Sequence, residues 1–382
     1  MKKLLFISNL FPDASEPYRG LDNATVLHAL RAHYEIRVLS VRPTLPLLGK
    51  TEQLKCRAGD EVLAPIFVRA PYVPKVGGLA NHHLMAKAMR QPLAALRREF
   101  AWDGVMTSWL FPDSWAVWRA LGGGHGPLVC IAQGSDVHRY LRSASRKRAI
   151  LEVLSHADGC ITRSASLSTM LAEAGADARR LHPITNGIDT GVFHLMQRVE
   201  GGERVLLFVG NLLPVKDPLF MLRCFTELKR RRPAEILRLV MIGKGPMEAE
   251  LRDEARKLGV VDSVTLTGPL QAPEVADWMR RAEMLCMTSR NEGLPNVVLE
   301  AQGCGLPVVA TDVGGIRECV NEDWLGRLTP LDDAPQWVSA VESLLDSPVD
   351  RTRIAGLGAE RNWPETALRY REVIDAAITA SR

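Results

Sequence analysis

Residues 289–311 read SRNEGLPNVVLEAQGCGLPVVAT, and two carboxylates, Glu292 and Glu300, stand in this stretch with seven residues between them. Proline is tolerated in the first turn of a helix, because its missing N–H has no partner there. A helix is therefore expected to start near Pro295 or Asn296 and to stop at Gly303 and Gly305, with a strand following at Pro307–Ala310. The free N–H groups and positive dipole end of such a helix suit a phosphate. Glu292 falls in the loop ahead of the helix. Glu300 falls about one turn inside it, and helical side chains lean back toward the N-terminus. The two carboxylates then flank one polar ligand bearing phosphate and hydroxyls. The plainer reading makes Glu292 a solvated loop acid and Glu300 a helix-surface acid. Glu300, however, follows the apolar run Val297, Val298, Leu299 in a helix expected to be buried, where unpaired acids are rare.

On both sides of this stretch, apolar runs alternate with helical patterns. Strands are expected at Leu4–Ser8, Ile36–Ser40, Ile66–Ala70, Gly104–Thr107, Leu128–Ala132 and Gly159–Thr162, with helices between them at Ala24–Ala32 and Leu84–Phe100. The pattern restarts at Arg204–Val209 and continues at Leu237–Ile242, Ser263–Thr267, Met284–Thr288, Pro307–Ala310 and Leu325–Leu328. Such alternation argues an α/β fold, each sheet parallel and covered on both faces. An Asn-Gly turn at Asn186-Gly187 breaks the series between the two halves. Pro43–Leu63 is irregular and finds no place in the pattern. A last helix is expected over Pro364–Ala380.

The 382 residues are long for one core, and 46% hydrophobic with 24% charged residues is ordinary for a globular chain. Residues 1–190 carry 24 Lys and Arg against 16 Asp and Glu; the rest carries 24 against 28. A basic first half and an acidic second half argue different partners. The seven cysteines form no Cys-x-x-Cys pair and no His cluster accompanies them, so neither zinc nor a disulfide framework is expected, and a reduced compartment fits. The opening MKKLLFISNLF is interrupted by Ser8 and Asn9 and lacks a nearby small-residue cleavage site, so it reads as a buried strand rather than a signal peptide. No apolar run reaches the length of a membrane span.

Ligands of parallel sheets sit beyond the carboxyl ends of the strands, which selects the turns to inspect. After Val209 comes Gly210-Asn-Leu-Leu-Pro-Val-Lys216. Gly210 lets backbone approach a ligand and Lys216 brings a cation toward the next helix, a pairing that suits a diphosphate. After Ile242, Gly243-Lys-Gly245 opens a helix without the third glycine of a dinucleotide fingerprint. Gly314-Gly315 read equally as turn geometry or ligand contact. The basic stretches Leu84–Arg98 and Arg139–Arg148 read most plainly as solvated helix faces. The functional reading is docking on an anionic membrane surface or an acidic, lipid-linked acceptor. Nucleic acid lacks a stacking module here.

The 289–311 stretch and its continuation PVVATDVGGIRE, Pro307–Glu318, resemble the E-x7-E block of the family 4 retaining glycosyltransferases. The resemblance covers almost the whole chain and is strongest from Val205 to Glu318. It implies the GT-B architecture, two Rossmann-like parallel-sheet domains facing a central cleft. An acceptor-binding domain would span 1–187, a nucleotide-sugar-binding domain 188–362, and a terminal helix, 363–382, would cross back to the first. The implied donor set is Gly20, Gly210, Asn211, Lys216, Gly243, Gly268, Leu270, Glu292, Gly293, Leu294, Pro295, Asn296 and Glu300. Lys216 and Glu292 would act in catalysis together with Gln133 and Asp136, and Trp109 and Asp113 would lie on the acceptor side. Two positions depart from the family. Asn211 stands where many members carry arginine, and Gln133 where many carry histidine, so a proton shuttle is missing there. The implied function is retaining transfer of a sugar from a nucleotide diphosphate sugar to a sugar or lipid-linked hydroxyl acceptor, in the synthesis of a glycan, polysaccharide or glycolipid. No metal or cofactor is implied. The implied place is the cytoplasm, with peripheral contact at the inner face of the membrane. Two alternatives share the architecture: a sugar-nucleotide epimerase, and a noncatalytic nucleotide-sugar binding protein.

Overall fold

The structure is a computed structural model, and it describes residues 1–45, 54–74, 80–123, 126–197 and 202–381. Of the unplaced stretch Pro43–Leu63, residues 46–53 lie outside the described residues. The chain divides into two compact units, Met1–Asn186 with Trp363–Arg382, and Gly187–Asn362.

The first unit holds a 7-stranded sheet. Its strands are β1 (Lys2–Ser8), β2 (Tyr34–Thr44), β3 (Pro65–Pro71), β4 (Gly104–Ser108), β5 (Leu128–Ala132), β6 (Gly159–Thr162) and β7 (Leu181–Pro183), in the order β3-β2-β1-β4-β5-β6-β7. All pairings are parallel, with Leu4 opposite Ile36 on one side and Gly104 on the other. The opening run therefore makes the strand at the switch in strand order. Leu4, Leu5, Phe6 and Ile7 are fully buried, as a strand covered on both faces demands. Each such side chain contributes about 1.5–3 kcal/mol of burial. The helix Trp363–Ala380 lays Ala367, Tyr370, Ile374 and Ile378 into the same core as Leu4, Phe6 and Met106. Strand β7 was not expected from the sequence: Leu181-His-Pro is too short and too polar to carry a strand pattern.

The second unit holds a 6-stranded sheet of β8 (Glu203–Val209), β9 (Ile236–Ile242), β10 (Val264–Gly268), β11 (Met284–Met287), β12 (Val308–Thr311) and β13 (Gly326–Thr329). The order is β10-β9-β8-β11-β12-β13, again parallel throughout. Helices Pro218–Arg231 and Ala334–Asp346 cover one face through Leu222, Phe225, Trp337 and Val341. Helices Ala272–Arg281 and Asn296–Gly303 cover the other through Met279, Val298 and Leu299. Both sheets are thus two-sided Rossmann-like layers. In such a sheet the crevice lies where strand order reverses, between β1 and β4 in the first unit and between β8 and β11 in the second.

Candidate active site

The loops leaving β8 and β11 meet at that reversal. After β8 the chain makes a tight turn, Pro214–Lys216, and Asp217 follows at φ 42°, a left-handed conformation for a non-glycine residue. Asp217 also caps the next helix, accepting from the Phe220 N–H at 3.2 Å, with Pro218 in the first turn. The β11 loop clamps this turn from the other side. Thr288 Oγ1 donates to the carbonyls of Lys216 at 3.1 Å and Asp217 at 2.9 Å, and the Arg290 N–H to that of Val215 at 2.8 Å. The Arg290 guanidinium bridges Asp217 at 2.8 Å and Asp332 at 3.2 Å. Held this way, Lys216 Nζ donates to Glu292 Oε1, and Ser289 Oγ donates to the same oxygen at 2.6 Å.

Glu292 is only 8% exposed, so it is not a solvated loop acid. Its loop is set by a backbone contact that admits no side chain. A Cβ on Gly314, at φ 55°, would stand 1.8 Å from the Glu292 carbonyl oxygen. Gly315 donates its N–H to the Gly293 carbonyl at 2.8 Å. The glycine pair thus shapes the Glu292 loop. The helix Asn296–Gly303 starts just beyond, with Pro295 as its cap residue. Glu300 sits a turn inside it and is half-buried, more open than its apolar neighbours Val298 and Leu299.

The remaining donor-side candidates line the same sheet edge. A Cβ on Gly243, at φ 139°, would meet the Gly210 carbonyl oxygen at 2.0 Å, so these glycines let two loops pack backbone to backbone. Gly268, at φ 73°, closes β10, its carbonyl accepting from the Gly243 N–H at 2.9 Å, and has open space where a side chain would stand. Asn211 is exposed, and Leu270 packs partly against the core. Gly293, Leu294 and Asn296 are half-buried around Glu292.

In the first unit the corresponding loops leave β1 and β4. Gly20, at φ 62°, caps the helix Leu21–Leu30, where a Cβ would stand 2.2 Å from the Leu10 carbonyl oxygen. Asp113 is fully buried and accepts from Ser8 Oγ at 3.0 Å, the Asn9 N–H at 2.6 Å and Asn9 Nδ2 at 2.7 Å. Burial pushes its carboxyl up to about 6 against the pull of those donors. Asp136, equally buried, accepts from the N–H groups of Leu110, Gln133 and Gly134 at 2.8, 3.0 and 2.8 Å. Burial raises its pKa, and the backbone N–H groups oppose it. Both acids therefore tie loops together. Gln133 Nε2 donates to Ser108 Oγ at 2.6 Å and Asn23 Oδ1 at 2.9 Å. Trp109, half-buried, has φ 75°, a conformation a bulky residue avoids. Sequence reasoning missed Asn23, Thr288 and Arg290, because each acts through a partner distant in the chain. It also missed Ser289, whose partner Glu292 is only three residues on, because a loop serine carries no pattern of its own.

An aromatic group stands beside these loops. The His82 ring lies 5.0 Å from Phe111 and 4.6 Å from Trp115. Burial, then the neighbouring His83, pushes the His82 imidazole down to about 4, against 6.5 in an open chain. Between these values the unfolded chain binds more protons at this imidazole than the folded one, so the His82 contribution to stability falls as pH drops from 6.5 to 4. Asp113, raised to about 6, works the opposite way. In urea melts the stability difference between His82→Phe and the wild type is therefore expected to shift in favour of the variant as pH falls over that interval.

Among the described residues, no group of three or more His, Cys, Asp or Glu is placed to hold a metal, and no helix is long and apolar enough to cross a membrane.

The chain matches the family "Glycosyltransferase Family 4" over residues 24–192 and "Glycosyl transferases group 1" over 203–347. It is 33% identical over 306 residues to a D-inositol 3-phosphate glycosyltransferase of Thermobispora bispora, spanning 72% of this chain and 69% of that one. The chain belongs to the GT-B glycosyltransferases. The homologous enzyme of Pseudarthrobacter chlorophenolicus is 36% identical over 218 residues, and there the alignment spans about half of the relative, 48%. Among solved structures, sucrose-phosphate synthase of Thermosynechococcus elongatus superposes with a TM-score of 0.76 at 19% identity, over 100% of both chains. Anabaena HepE in complex with UDP gives 0.74 at 17%, over 98% of this chain and 100% of that one. At such identities the likeness is one of fold. This glycosyltransferase transfers a sugar from a nucleotide-sugar donor to an acceptor, as its family does.

Proposed function

We propose that this glycosyltransferase works with retention of anomeric configuration and without a metal. On this reading Gly187–Asn362 holds a nucleotide diphosphate sugar and the other unit holds the acceptor hydroxyl. The observation that carries the reading is the meeting of Lys216 and Glu292 at the sheet reversal, just ahead of the Asn296–Gly303 helix. Lys216 and the N–H groups at that helix start stabilise charge growing on the leaving diphosphate. Glu292 accepts hydrogen bonds from sugar hydroxyls and Glu300 from the ribose. Gly268 and Leu270 border the base.

On the acceptor side Gln133 orients the hydroxyl, and Asp136 positions the Gln133 loop. Trp109 and the loop carrying Asp113 wall the acceptor. Transfer is front-face. The bond from the anomeric carbon to the phosphate oxygen breaks, the acceptor oxygen bonds on the same face, and its proton passes to the departing diphosphate. The acceptor is a sugar or lipid-linked alcohol. Relatives named for D-inositol 3-phosphate make a phosphorylated polyol the first acceptor to test, and the UDP held by HepE makes UDP-sugars the first donors. The enzyme works in the cytoplasm. The exposed basic residues Lys87, Arg90, Arg98, Arg142 and Arg148 support peripheral docking on the inner face of the membrane.

Incubation with UDP- and GDP-sugars, with and without D-inositol 3-phosphate, tests the proposal. Acceptor-dependent release of nucleoside diphosphate and a retained anomeric coupling in the product's NMR spectrum are expected. A new sugar nucleotide formed without that release, or binding without turnover, would refute it. Activity is also expected to survive excess EDTA, since Lys216 and the helix start supply the charge that a cation supplies elsewhere. Rates that collapse in EDTA and return with magnesium or manganese would overturn that part.

A further inference from the structure

The contact between Lys216 and Glu292 joins two groups that the reading above assigns to different parts of the donor, and the inference rests on that reading. Lys216 Nζ donates to Glu292 Oε1, and Ser289 Oγ donates to the same oxygen at 2.6 Å. Glu292 is buried, while the Lys216 side chain is 23% exposed and sits in a turn fixed by Thr288 and Arg290. The ammonium, on a flexible stem, is the mobile partner, and the carboxylate is the fixed one.

A diphosphate arriving at Lys216 competes with Glu292 for the same ammonium. If the cation turns to phosphate, Glu292 keeps the Ser289 hydroxyl but loses its counter-charge. A buried carboxylate stripped of its cation is costly. A nucleoside diphosphate brings nothing to replace the lost donor. A nucleotide sugar brings hydroxyls that donate to the vacated oxygen. We infer that the Lys216–Glu292 pair is a latch that favours the intact nucleotide sugar over the nucleoside diphosphate and helps expel the diphosphate after transfer. Once the sugar has left, Glu292 recaptures Lys216 and the diphosphate loses its cation.

Calorimetry on the full chain with UDP and GDP, set against UDP-glucose and GDP-mannose, tests the latch. The wild type is expected to bind a sugar nucleotide more tightly than its diphosphate. Glu292→Gln keeps the shape and removes the competing charge. It is therefore expected to bind the diphosphate about tenfold more tightly, with slower dissociation in stopped flow, and to lose most of the preference for the sugar nucleotide. Ser289→Ala keeps the pair but removes the donor that steadies Glu292 when Lys216 leaves. Diphosphate binding there is expected to weaken, by about fivefold or more. The two variants thus move the same affinity in opposite directions, and Ser289→Ala still gives an answer if Glu292→Gln unfolds. Diphosphate affinity that is unchanged or weaker in folded Glu292→Gln, or unchanged in Ser289→Ala, overturns the latch and leaves the nucleotide reading standing. A wild type that binds neither UDP, GDP nor their sugars overturns that reading, and the latch with it.

Discussion

Replacing Lys216 with alanine is expected to lower turnover by about a hundredfold to a thousandfold, the range seen when one donor to a developing charge is removed. Binding of the nucleoside diphosphate should suffer far less. Negative charge on the diphosphate grows as the glycosidic bond breaks, so the ammonium matters most in the transition state. The latch adds to the contrast, because in the wild type part of the ground-state attraction between Lys216 and phosphate is offset by the broken contact with Glu292. The turn itself should survive the substitution, since the bonds that fix it run through the main-chain carbonyls of Lys216 and Val215 and the Asp217 side chain. Steady-state kinetics beside calorimetry with UDP and GDP separates the two effects, and a melting curve checks the fold. Equal losses in turnover and in ground-state affinity would refute a transition-state role for Lys216.

What could be read from the chain divides by distance along it. Every strand but β7 was legible as an apolar run, and the central ones are buried on two faces, as in LLFI at 4–7 and VLLF at 205–208, whereas β3 and β10 at the sheet edges are only partly buried. The helix over 296–303 was legible from a proline at one end and glycines at the other. Strand β7 was not, since three residues with a histidine and a proline carry no period. The turns named as ligand sites do lie on the carboxyl edges of their sheets, but the sequence did not show what occupies each side chain. Asp136 stands in a motif read as catalytic and Asp113 in one read as acceptor-side, and both carboxylates are taken up by donors in this fold. Asp113 finds Ser8 and Asn9 more than a hundred positions away because β1 and β4 are neighbours. Lys216 finds Glu292 seventy-six positions on for the same reason, β8 lying beside β11. Burial of the two glutamates reverses what the neighbouring residues suggest. The apolar triplet before Glu300 placed that acid in a helix expected to be buried, yet Glu300 is half-open, and Glu292, in a loop of polar and glycine residues, is the buried one.

That reversal bears on the second large effect, expected at Glu300. Glu300→Ala should weaken binding of UDP or GDP by about tenfold to a hundredfold, since hydrogen bonds to a charged acceptor contribute roughly 1.5–3 kcal/mol. A half-open carboxylate one turn inside a helix suits a ligand-facing role, because a ribose can reach it while the rest of the helix stays in the core. The same openness limits the damage to folding, since no deeply buried volume is removed and the apolar side of the helix, Val298 and Leu299, is untouched. Glu300→Gln should fall between wild type and alanine, because the amide oxygen still accepts a hydrogen bond but without charge. The effect should also be the same for a nucleoside diphosphate and for its sugar, since the ribose is common to both. This uniform loss separates Glu300 from Glu292, where the two ligands are expected to diverge. Calorimetry on the folded variant decides it, and unchanged nucleotide affinity in Glu300→Ala would remove the ribose from this carboxylate.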